Sequence, residues 1–149
     1  PEALPWFSEF GIQQTRGFKA LKLWLTLQQV GVDGYRNLIT HDVAMARMLQ
    51  SRIRARDDFE LMAAGPLSVT CFRYAPPGLN DLRALNQALL KIVQDEGHVF
   101  LTSTELSGQL VLRACIANYR TQEGDLDRLL DTIAEAGERV LGTQRHNYG

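Results

Sequence analysis

The chain has 149 residues, 45% of them hydrophobic and 22% charged, with a formal net charge of −1 at pH 7. That length suffices for one domain with a real core, and the composition is that of a soluble globular domain. The arginines are spread from Arg16 to Arg145, so no basic patch is offered to nucleic acid or an anionic membrane, and no apolar run approaches the roughly 18 residues of a membrane span.

Residues 1–15 hold Pro1, Pro5 and three aromatics, Trp6, Phe7 and Phe10, without a period. They read as an extended segment packed on something. The chain opens on proline rather than methionine, the start expected of a processed, cleaved or excised piece. Over 16–30 the pattern is helical but apolar nearly all round, with Phe18, Ala20, Leu21, Leu23, Trp24, Leu25 and Leu27. A helix without a polar stripe is buried on several sides, which points to more protein around it than this chain supplies. Gly31 stops that helix and Asp33 can cap the next. Ile39, Val43, Ala46, Leu49 or Gln50, and Ile53 then return every three to four residues, an amphipathic helix over about 35–54. Arg52, Arg54 and Arg56, followed at once by Asp57 and Asp58, read as its solvated end.

Residues 59–62 predict a short strand, Gly65-Pro66 a turn and 67–74 a second strand rich in β-branched and aromatic residues. After Pro76-Pro77-Gly78, Asn80 or Asp81 caps a helix to about 95, with Leu82, Leu85, Leu89, Ile92 and Val93 facing inward and Gly97 closing it. Residues 99–106 and 110–116 are two strands joined by a Ser107-Gly108 hairpin. Thr121 caps a last helix with Leu126, Leu129, Leu130, Ile133 and Val140 in one stripe, and from Gly142 the tail is polar and loose. The predicted fold is α+β, an antiparallel sheet of about four strands covered on one face by helices and preceded by two long helices. Residues 1–34 form an extended segment and connecting helix, and 35–149 a small α+β domain.

No complete catalytic set is present in the sequence. His41, His98 and His146 lack ligand spacing for a metal, and Ser103 and Ser107 lack a nucleophile elbow. Gly11, Gly17, Gly31 and Gly34 do not form a phosphate loop between a strand and a helix. Cys71 and Cys115 lie in apolar runs and read as small buried hydrophobes in a reducing, cytoplasmic compartment. One charge stands out. Arg113 interrupts the run Leu110, Val111, Leu112, Ala114, Cys115, Ile116, and a guanidinium there needs an anionic partner or an exit to water. Either it pairs with a structural carboxylate such as Glu105 on the hairpin partner, or it captures a carboxylate or phosphate in two-pronged fashion.

The run Phe18-Lys19-Ala20-Leu21-Lys22-Leu23-Trp24 resembles the Phe-Arg-Ala-Leu-Lys-Leu-Trp signature of the group II pyridoxal-phosphate-dependent decarboxylases, which act on aromatic amino acids, glutamate or diaminobutyrate. The likeness continues through Gly31-Val32-Asp33-Gly34-Tyr35, Asp58-Phe59-Glu60-Leu61 and residues 67–74, then Leu85-Asn86-Gln87-Ala88-Leu89-Leu90 and Val111-Leu112-Arg113-Ala114-Cys115-Ile116. It implies the connecting segment and C-terminal small domain of a homodimeric fold-type-I enzyme. In that family the cofactor and its lysine, in a Pro-His-Lys context, lie in a larger N-terminal domain. None of Lys19, Lys22 and Lys91 follows a histidine, so covalent attachment of pyridoxal phosphate by this chain is not expected. The resemblance carries over one residue: Arg113 matches the strand arginine implicated in binding the substrate α-carboxylate. Holding that carboxylate keeps the breaking bond in line with the cofactor's electron sink. Gly17 stands where the family usually has a second arginine. The same order of elements over 67–141 also suits a stand-alone ferredoxin-like ligand-binding or dimerisation module, which would leave the helix over 16–30 exposed.

Overall fold

The computed structural model of the protein describes Ile12 and residues 17–147, with side chains to Thr143. Trp6, Phe7, Phe10, Gly11, Arg16 and the side chain of His146 lie outside the described residues. The chain divides into two compact units, residues 1–37 and 38–149.

Helix α1 (Lys19–Arg54) begins in the first unit and is broken at Gly31, whose φ of 74° and ψ of 167° lie where side chains rarely permit the backbone to go. The two long helices of the sequence pattern are therefore both present. Asp33 does not cap the second one; it sits within it and pairs with Arg36. In the first unit Phe18, Leu23, Trp24 and Leu25 are exposed. The pattern calls for burial, but no other helix or strand of that unit is described that would cover these side chains.

In the second unit, strands β1 (Phe59–Ala64) and β2 (Val69–Tyr74), helix α2 (Leu82–Glu96), strands β3 (Thr102–Leu106) and β4 (Gln109–Cys115) and helix α3 (Glu123–Asn147) follow one another. The four strands form one antiparallel sheet in the order β1-β2-β4-β3. Strand alternation decides what faces what. Thr70, Phe72 and Tyr74 of β2 and Leu112 and Ala114 of β4 are buried. They share that side with Ala46, Leu49 and Ile53 of α1, Leu85, Leu89 and Val93 of α2, and Leu126, Leu130 and Ile133 of α3. Within the second unit the helices lie on this one side, in the α+β arrangement that the order of elements predicts. Ile39 is exposed rather than part of the buried stripe of α1.

Local chemistry sets the element ends. Asp81 Oδ1 accepts from the Ala84 N–H at 3.0 Å, and Gly97, at φ 71°, closes α2 by donating to Val93 O. Ser107 and Gly108, at φ 50° and 76°, make the two-residue turn between β3 and β4, whose twist matches the strands. The β2–β4 ladder ends at Phe72 and Leu112. Beyond it buried Asn86 takes over, accepting from Tyr74 N–H at 2.9 Å and donating to Tyr74 O at 2.8 Å. Thr121 does not cap α3, which opens at Glu123. Asp125 Oδ2 instead accepts from the Gln122 N–H, and Thr121 O accepts from His41 Nε2. Where a loose tail is expected, α3 runs on helically to Asn147.

Of the arginines read as a solvated helix end, Arg54 is exposed, whereas Arg52 and Arg56 form a clamp. Arg52 reaches Glu123 and Asp127 of α3. Arg56 grips Asp58 through two bonds of 2.9 Å, reaches Asp131 at 2.8 Å and stacks 4.9 Å over the Phe59 ring. The hydrogen bond from Arg56 holds the Asp58 carboxyl below the usual carboxylate range, against the opposing effect of burial. A depressed folded pKa contributes stability that is present above the unfolded pKa and lost as pH falls through the folded one. Asp58→Asn is therefore expected to cost about 1 kcal/mol at neutral pH and to flatten the acid limb of the stability profile below about pH 4, as read by urea midpoints across pH.

Close packing adds a second expectation. A Cβ on Gly137 would lie 2.3 Å from Tyr74 Cε1, whereas one on Gly124 meets nothing within 4 Å. Gly137→Ala is expected to destabilise by about 1–3 kcal/mol and Gly124→Ala to leave stability unchanged or raised, measured by chemical denaturation.

Candidate functional site

The helix-free side of the sheet carries the odd residues of β2 and β4. Register places Cys71 opposite Arg113 and Thr102 opposite Arg113 from the other neighbour, so the three share a row across β2, β4 and β3. Val111 and Cys115 flank Arg113 on the same face of β4. Val111 is fully buried, while Arg113 and Cys115 are exposed. Cys115 therefore does not behave as the buried hydrophobe its apolar context suggests, because its parity turns it away from the helices. Both thiols are free.

The Arg113 side chain makes no hydrogen bond and no ion pair among the described residues. Glu105 is not its partner: it stands opposite Leu110, whose parity is that of the helix side, and it pairs with Arg83 of α2 at 2.5 Å. The charge in the strand is solved by exit to water. Its nearness is felt at Cys71, where burial pushes the thiol pKa up and the Arg113 charge pulls it the other way.

Arg73, on the same face and missed by the sequence reading, is the contrasting case. Its side chain is only 16% exposed, Nε donates to Glu60 at 2.7 Å, and Nη1 donates to Gln109 Oε1 at 3.3 Å. The shared parity of Arg73 and Cys71 in β2 was the signal that could have found it. One guanidinium on this face is thus neutralised and fixed, and the other has no side-chain partner among the described residues.

The other candidates do not join them. His41 is tied to Thr121 O, His98 is exposed in the loop after α2, and Ser107 lies in the hairpin turn. Among the described residues no group of three or more His, Cys, Asp or Glu is placed to hold a metal ion. Lys19 and Lys22 are exposed on α1, and Lys91 is paired with Asp95 at 2.8 Å on the surface of α2. No lysine here has the enclosed setting that a covalently held aldehyde cofactor needs, so the described residues do not fit as its anchor. No helix among the described residues is long and apolar enough to cross a membrane.

Comparison with known proteins gives this face a context. Residues 4–75 match the pyridoxal-dependent decarboxylase conserved domain. The chain is 31% identical over 137 residues to an aromatic-L-amino-acid decarboxylase of Bacillus atrophaeus, covering 90% of this chain and 28% of the relative. Among solved structures, tryptophan decarboxylase of Catharanthus roseus in complex with L-tryptophan superposes with a TM-score of 0.77 at 32% identity, over 89% of this chain and 28% of that one. The glutamate decarboxylase domain of a Vibrio parahaemolyticus diaminobutyrate-pyruvate transaminase and L-2,4-diaminobutyrate decarboxylase gives 0.81 at 31% identity, with the same coverage. The chain spans less than a third of the length of each.

The two arginines of the open face separate in a stability measurement. Arg113→Gln is expected to change unfolding free energy by less than about 0.5 kcal/mol, since no partner is lost. Arg73→Gln, which leaves Glu60 without its cation, is expected to cost about 1–2 kcal/mol, both read from denaturant midpoints.

Proposed function

The chain belongs to the pyridoxal-dependent decarboxylase family, and from that premise we propose that it is the connecting segment and C-terminal small domain of an amino-acid decarboxylase. Its role is to help close the active site and to position the substrate carboxylate through Arg113. The observation that carries the reading is an exposed guanidinium, without a protein partner among the described residues, on the helix-free face of a sheet.

A planar fork of donors meets both oxygens of a carboxylate at once, which fixes the angle of the group as well as its place. Orientation of that kind is what the loss of carbon dioxide requires from a binding residue. Gripping the ground-state carboxylate too tightly would slow its departure, so the role assigned to Arg113 is positioning. Cys71 and Thr102, in register on either side, wall the arginine without neutralising it.

The lysine that holds pyridoxal phosphate belongs to a large N-terminal domain in this reading, and that domain in a homodimer is the partner of the chain. The apolar side chains exposed on α1, Phe18, Leu23, Trp24 and Leu25, support such a neighbour, since a helix apolar all round is stable when covered. The substrate is an amino acid, the chain alone is inactive, and two free thiols suit the cytoplasm.

Two experiments test this. The chain alone is expected to release no carbon dioxide from aromatic, acidic or diamino amino acids when supplied with pyridoxal phosphate; turnover by it would overturn the division of labour. In the holoenzyme, Arg113→Lys keeps the charge and loses the fork, and is expected to lower kcat/KM by about 1.5–3 kcal/mol. A change below about threefold would return Arg113 to a surface role.

A further inference from the structure

We propose that the groove between the carboxyl end of β4 and the first turns of α3 binds a small amphipathic acid, an apolar body ending in a carboxylate. The groove encloses about 650 Å³, within the range of small-molecule sites. Its floor is apolar, with Leu101, Ile116 and Leu126 buried beneath it and Leu129 beside them. Its rim is not. His98, Arg120 and Arg128 stand there against one carboxylate, Asp125.

That carboxylate is already engaged. Asp125 Oδ2 accepts from the Gln122 N–H at 2.9 Å, and Oδ1 lies 3.9 Å from Arg128. Arg120 is braced by its neighbour: Nε donates to the Tyr119 hydroxyl at 2.9 Å, and the guanidinium carbon lies 5.3 Å from the Tyr119 ring centroid. The terminal nitrogens of Arg120 have no partner among the described residues. A guanidinium held on an aromatic ring with its fork free has lost most of the side-chain freedom that anion binding would otherwise cost. Two arginines against one carboxylate leave the rim positive even with His98 neutral, and the field at the start of α3 has the same sign. A bare phosphate would satisfy that rim but not the floor, and a hydrocarbon the floor but not the rim. An acid with an apolar body satisfies both.

Titration of the full ¹⁵N-labelled chain with 3-phenylpropanoate tests this. Saturable amide shifts are expected within 98–101, 114–121 and 125–129. The neutral 3-phenylpropanamide and inorganic phosphate are each expected to bind at least about tenfold more weakly, as is the acid to the Arg120→Gln, Arg128→Gln double variant. Both arginines are exposed, so that variant should fold as the parent does, which its amide spectrum checks. Equal binding of the amide or of phosphate, full binding by the double variant, or shifts centred elsewhere would each overturn the assignment.

Discussion

The register between β2 and β4 is the constraint on which the rest depends. Phe72 opposite Leu112 and Cys71 opposite Arg113 assign each residue of the two central strands to one face or the other. A slip of one residue would exchange the faces, turning Arg113 inward and Leu112 outward. A buried guanidinium without an anion costs several kcal/mol, so the charge in β4 reinforces the register that exposes it. Asn86 adds to this from α2 by bonding both backbone groups of Tyr74 where the ladder stops.

With that register the helices of the second unit pack on the side that carries Phe72 and Leu112. Gly137 lets α3 approach the Tyr74 ring more closely than a side chain would permit, and Arg52 and Arg56 tie the end of α1 to the acidic residues of α3. The layer so formed is dense. On the opposite face Arg73 is occupied by Glu60 and Gln109, and among the described residues Arg113 has no side-chain partner. The proposed carboxylate contact would thus be made from a strand rather than a loop, the setting in which a two-pronged contact holds its geometry best.

Much of this was legible in the residues. Pro76-Pro77-Gly78, Gly97 and Ser107-Gly108 punctuate the chain, and apolar periodicity between them tells helix from strand, so the order of elements follows from local signals. The parity of Leu110, Leu112 and Ala114 against Arg113 and Cys115 also contained the two faces, but Val111, apolar at an odd position, and the apolar context of Cys115 disguised it. Glu105 looked close to Arg113 along the hairpin, yet parity sends it to Arg83. Contacts across long separations left no local trace. Arg52 meets Glu123 and Arg56 meets Asp131 at separations of 71 and 75 residues, and the groove at the head of α3 brings residues 98–101 against residues 114–129. The all-round apolar pattern of the first half of α1 is carried by side chains that are exposed among the described residues of the first unit, and the chain spans under a third of the length of its relatives.

The central claim is that Arg113 recognises a carboxylate, and equilibrium binding to the holoenzyme isolates that contact. The affinities of the amino acid with its carboxylate and of the corresponding amine without it are compared in the parent and in Arg113→Gln. The variant is expected to lose about tenfold or more in affinity for the amino acid and none for the amine. Equal loss for both, or loss for neither, would contradict it.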